Sequence, residues 1–165
     1  MDKPVFAPET LYRVYSSKSR SVFDPLAGFK AEDKDLLQTS WTPHIADAIM
    51  STALRNHLDW HSRAPTPFIS TTSLFKKARA LAALRVEKGQ IVFIAEVRTR
   101  FMRPPYAQHL RYLKAMDLSR GLHVRESIES KSRDETEWLI PGEIPLEAIT
   151  EIRCFTKGQC FSRVH

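Results

Sequence analysis

Two carboxylates, Glu135 and Glu137, stand two residues apart in DETEWLIPGEIP (Asp134 to Pro145), just before the apolar run Trp138 to Ile140. In extended backbone both side chains face one side and Thr136 faces the other. Like charges on a shared face repel, so such a pair adds little to stability. It can solubilise a loop end. In a cleft it can instead stabilise a cation that develops in a transition state, or take a proton from an acceptor.

Two other segments offer matching chemistry. Ser70, Thr71 and Thr72 put three hydroxyls in a row at the end of an apolar strand, PFISTTS. They can orient a carboxylate or serve the helix that follows, for which Ser73 is assigned as the cap. Arg13 lies in LYRVYSS (Leu11 to Ser17) among apolar and aromatic neighbours, so its head must find water, a structural carboxylate or an anion. His57, in NHLDW, and His61 lie upstream of the hydroxyl strand, and His57 is carried as a binding residue.

Elements must bring these segments together. Leu11 to Tyr15 reads as a strand and Ser16 to Lys30 as loop. Thr42 caps, and Pro43 opens, a helix whose apolar residues recur at helical spacing to Leu58 or Trp60, before Pro65 and Pro67. Phe68 to Thr72 is a strand. A helix follows with Leu74, Ala78, Leu81, Ala82 and Leu84 on its core side and Gly89 as its stop. Gln90 to Arg98 is the clearest strand and belongs at the centre of its sheet. Ala107 to Met116 is taken as helical and Ser127 to Arg133 as exposed loop. Strands follow at Glu137 to Ile140 and Ile149 to Phe155, with GEIPLEA a turn between them. Strands without regular crossover helices argue for α+β packing.

The 165 residues bound this to one domain, residues 1–165, and 42% hydrophobic with 27% charged residues is ordinary globular usage. A net charge of +6 and a pI near 9.5 attract anionic partners in general. No basic run with interleaved aromatics tracks a nucleic-acid strand, so nucleic acid is disfavoured as the main ligand. No apolar stretch approaches the roughly 18 residues of a bilayer span, so no membrane role is expected. The first residues, MDKPVFAPETLYR, lack the features of a secretory signal, so the expectation is a cytoplasmic protein or a secreted or processed effector domain. Cys154 and Cys160 flank a Lys157-Gly158 turn. They can close a small loop under oxidising conditions, with two reduced thiols preferred. No Cys/His spacing suits zinc, and no metal is expected.

Arg13, the Ser70-Thr71-Thr72 row and the Glu135-x-Glu137 pair, in this order, resemble the Arg, Ser-Thr-Ser, Glu-x-Glu pattern of mono-ADP-ribosyltransferases, in the group of the cholera toxin and pertussis toxin catalytic subunits. The resemblance runs from about Leu11 to Phe155, and Thr72 stands where the pattern has Ser. It implies an ADP-ribosyltransferase-like α+β fold, with two small packed sheets forming an NAD cleft and helices on its flanks. It also implies a toxin-like glycosyltransferase that uses NAD as a substrate. In that scheme Glu137 stabilises the oxocarbenium-like ribose as nicotinamide leaves, and Glu135 handles a protein acceptor, expected to be an arginine side chain. Arg13 binds the ribose and phosphate region of NAD, Ser70 orients Glu137, and Thr71, Thr72 and a histidine such as His57 complete the cofactor-binding set. An NAD glycohydrolase, with water as acceptor, is the nearest alternative. A non-catalytic basic binding module on the same fold is the other. Enzymes of this group often need an activating partner. LYRVYS and DETEWLIPGEIP also resemble an uncharacterised domain of filamentous fungi, which implies an effector or self-defence setting.

Overall fold

The computed structural model describes residues 8–36, 43–59, 61–102, 113–114 and 136–164. Along the chain these form β1 (Thr10–Tyr15), β2 (Phe23–Asp24), β3 (Gly28–Lys30), α1 (Pro43–Leu58), β4 (Phe68–Thr72), α2 (Phe75–Glu87), β5 (Val92–Arg98), β6 (Leu113–Lys114), β7 (Glu137–Pro141), β8 (Glu143–Pro145), β9 (Ile149–Thr156) and β10 (Gln159–Val164). Among the described residues the strands make a seven-stranded antiparallel sheet, ordered β10-β9-β5-β1-β4-β7-β6, and a three-stranded one, β2-β3-β8. The fold is therefore α+β with two packed sheets, as the residue pattern implies. No described helix is long and apolar enough to cross a membrane.

Alternation along the strands sorts the core into layers. Leu11 and Tyr15 of β1, Ala95 and Val97 of β5, and Ile69 and Ile140 face the small sheet, where they pack on Phe29 and Ile144. Tyr15 sits among Phe23, Phe29 and Phe93, with ring centroids 4.9 to 5.9 Å away. Val14 and Ile94, on the opposite side, meet Ala78 and Ala82 of α2. Ala53, Leu54 and Leu58 of α1 cover Phe68 and Leu139.

Gly28 explains how β3 and β8 come so close within the small sheet. Its φ is +90°, and a Cβ there would lie 2.1 Å from the Ile144 carbonyl oxygen. Only glycine combines that backbone angle with so close an approach.

Several expectations change. Ser16 to Lys30 is not all loop, since it contains β2 and β3, and GEIPLEA contains β8 and a short 3-10 turn, Leu146–Ala148. Two- and three-residue strands are too short to show a period. Leu113–Lys114 pairs with Leu139 and Trp138 as an edge strand, which contradicts a helix through Met116. β10 was not foreseen; it forms a hairpin with β9. Helix α2 buries only Ala78 and Ala82 against the sheet, and Leu74, Leu81 and Leu84 are 51%, 40% and 57% exposed. Small alanines let the helix approach closely, which lifts the larger leucines to its flanks. Ser73 does not cap α2. The hydroxyl of Thr72 instead accepts from the Leu74 amide at 3.3 Å. Cys154 forms no disulfide among the described residues, and its register partner is Phe161, not Cys160. Thr42 and the stretch from Ser127 to Arg133 lie outside the described residues.

The large sheet has a seam. Six residue pairs join β1 to β5 and five join β4 to β7, but β1 and β4 share a single pair, Tyr12 with Thr72. Continuing that register would set Val14 against Ser70. Two arginines take over at that level: Arg13 donates to the Ser70 carbonyl at 2.9 Å, and Arg85 of α2 donates to the Val14 carbonyl at 3.4 Å. Buried main-chain acceptors must find donors, and side chains supply them where the ladder stops.

Candidate active site

The seam opens into a cleft with two lobes, both bordered by Arg13, His57, Ser70 and Arg85. One lobe, about 360 Å³, is polar and basic, with Lys18, Arg20, Ser16 and Gln90 in its wall. The other, about 390 Å³, is mainly apolar, with Tyr12, Leu58, Leu81 and Leu84, and it has Glu137 at its edge. The exposed leucines of α2 thus line a cavity wall.

Each functional side chain has its own support. Arg13, 9% exposed on β1, also reaches the Ser21 carbonyl at 3.4 Å, while its buried Nε has no hydrogen-bond partner among the described residues. Burial, and then the like charge of Arg85, lower its pKa to about 10, opposed by Glu137. The pKa of Arg85 is lowered by burial as well. Neither guanidinium forms a salt bridge with a described carboxylate. Two neighbouring cations that repel each other beside an open lobe make a site for an anion.

Glu137 starts β7, and its register partner on β4 is Thr72. Ser70 donates to its Oε1 at 3.0 Å. His57, from the last turn of α1, places Nε2 2.7 Å from Ser70 Oγ and Nδ1 2.7 Å from Thr66 Oγ1, with its ring edge-on to Phe68. Burial first, then the charges of Arg13 and Arg20, push its pKa down to about 3. The imidazole is neutral at physiological pH.

Arg13, His57, Ser70 and Glu137 therefore meet at one place. Thr71 and Thr72 also border the apolar lobe, but their hydroxyls are engaged internally, with the Trp138 carbonyl at 2.9 Å and Thr136 Oγ1 at 3.0 Å. His61 is exposed beside Asp59, apart from the cleft. Glu135 lies outside the described residues. Sequence reasoning missed Arg85 and Thr66. Arg85 resembles any solvated helix arginine, and Thr66 any residue ahead of a proline.

A family model described as "Domain of unknown function (DUF7587)" matches residues 6–157, nearly the whole chain. The chain belongs to the DUF7587 family. No curated protein matches the sequence. Among solved structures, this DUF7587 domain is similar to one named EcPltA, with a TM-score of 0.56 and 16% identity over 94% of this chain and 82% of that one. At such identity the likeness is one of fold. The DUF7587 domain has the ADP-ribosyltransferase-like fold that its residue pattern implies, and the seam with its cleft lies within the matched region.

Proposed function

We propose that this domain is an NAD-dependent mono-ADP-ribosyltransferase, which breaks the nicotinamide glycosidic bond and transfers ADP-ribose to a protein acceptor, an arginine side chain. The observation that carries the reading is Glu137, held by Ser70 beside a cleft in which Arg13 and Arg85 form no salt bridge among the described residues. The two guanidiniums suit the pyrophosphate of a dinucleotide, and the apolar lobe suits a flat aromatic ring.

The chemistry follows from charge. As the bond between ribose C1′ and the pyridinium nitrogen breaks, its electron pair leaves with nicotinamide and the ribose gains oxocarbenium character. A carboxylate fixed beside that centre stabilises the transition state more than the ground state. The acceptor nitrogen then bonds to C1′ and loses a proton, a step we assign to Glu135. Ser70 reduces the freedom of Glu137 before substrate arrives, so less ordering remains for the reaction.

The test is nicotinamide release from NAD by the purified protein, with and without a protein extract, beside Glu137→Gln. Release that falls at least about 100-fold in the variant, with NAD binding kept, supports the reading. Modification of extract proteins supports transfer, and release without modification points to a glycohydrolase. Glu135→Gln should reduce transfer more than hydrolysis. Absence of both NAD binding and release overturns the proposal and leaves a basic binding module.

A further inference from the structure

Thr66, His57, Ser70 and Glu137 form a single file of hydrogen bonds, with successive separations of 2.7, 2.7 and 3.0 Å. Counting protons fixes its direction. An ionised carboxylate only accepts, so Ser70 must give its one hydroxyl proton to Glu137. Ser70 Oγ then has only lone pairs for His57, which puts the ring proton on Nε2. A neutral imidazole carries one N–H, so Nδ1 is an acceptor and Thr66 must donate into it. The depressed pKa of His57 is consistent with this single-proton state.

We infer that Thr66 is a positioning residue of the active site: its hydroxyl holds the His57 ring in the tautomer and at the angle that aim Ser70 at Glu137. The inference rests on the reading of Glu137 as the catalytic carboxylate.

The local backbone suits this role. Thr66 is 2% exposed, and its carbonyl accepts from the Asp33 amide at 3.1 Å. It precedes Pro67, whose own carbonyl accepts from Gly142 at 2.8 Å. A residue before proline is confined to extended backbone, and β-branching restricts χ1, so the hydroxyl has few directions open to it. At the other end of the file, Arg13 holds the Ser70 carbonyl. Thr66 and Ser70, the two partners of the His57 ring, are thus anchored independently of it.

The experiment pairs Thr66→Val, which keeps shape and removes the donor, with Thr66→Ser, which restores it. Nicotinamide release is measured together with nitrogen NMR of the histidine rings. In the wild type the His57 proton should lie on Nε2, with Nδ1 at the frequency of a hydrogen-bonded acceptor. Thr66→Val should move Nδ1 to the frequency of a free lone pair and lower kcat about tenfold with KM unchanged, the size expected for one lost positioning contact. Thr66→Ser should recover most of both. A wild-type proton on Nδ1 overturns the inference, as does a Thr66→Val protein with unaltered kcat in which Glu137→Gln is inactive. If the wild type cleaves no NAD, the proposed function fails, and the ring spectra still decide the order of protons in the file.

Discussion

His57→Gln should remove a large acid sensitivity from the stability of this protein. The buried ring takes a proton only near pH 3 in the fold, against about 6.5 in an unfolded chain. Between those values the unfolded state binds a proton that the native state does not. Stability from this group is therefore complete above about pH 6.5 and declines as the pH falls toward 3. For one such ring, lowering the pH from about 7.5 to about 5 removes roughly 2 kcal/mol. The variant keeps a nitrogen able to donate to Ser70 but has nothing to titrate in that range. Urea unfolding of both proteins at the two pH values isolates the term, because carboxylates common to both cancel in the difference. The wild type should lose about 2 kcal/mol more than the variant. Equal losses, within about 0.5 kcal/mol, would refute the assignment of a neutral, buried His57 held between Thr66 and Ser70.

Two other substitutions test separate parts of the reasoning. Gly28→Ala should destabilise the fold by roughly 3 kcal/mol or more in urea unfolding, because a Cβ meets the Ile144 carbonyl in addition to the strain of positive φ. Gly142→Ala has the same strain and no atom within 4 Å, and should cost only about 1 to 2 kcal/mol. Arg85→Met should weaken NAD binding about 10-fold or more in calorimetry and flatten its salt dependence, while stability without ligand changes little, because the lost Val14 contact is offset by relief of repulsion on Arg13.

What the sequence made legible was periodic or chemically unusual. The aromatic and β-branched stretch around Arg13 and the largely apolar strand Val92–Arg98 announce themselves because their patterns persist for five or more residues, and the row on β4 because it sets three hydroxyls side by side. Arg13, Ser70 and Glu137 were recognisable as a set, and they converge. The small sheet was not legible, since β2, β3 and β8 are held by register with one another and by Gly28 more than by any propensity of their own. The wrong core face of α2 has a different cause. Helical spacing marks an apolar stripe but cannot say whether it meets a sheet or a cavity, and Leu81 and Leu84 meet a cavity. Arg85 owes its role to the break between β1 and β4, and Thr66 to the docking of His57 from α1, and neither leaves a trace in local sequence.

That break makes the two flanks of the cleft mechanically distinct. One is the ladder of β1, β5 and β9 under α2, and the other is β4 with β7 under α1. A ligand lying between them acts as a clasp, and part of its binding energy is consumed in fixing how far the two flanks stand apart. Affinity is then adjustable from a distance. A methyl group gained or lost between Leu54 and Leu139, which line neither lobe, would shift the resting gap and with it the work that binding must perform. Relatives that keep every residue of the cleft can in this way differ widely in how tightly they hold the same molecule.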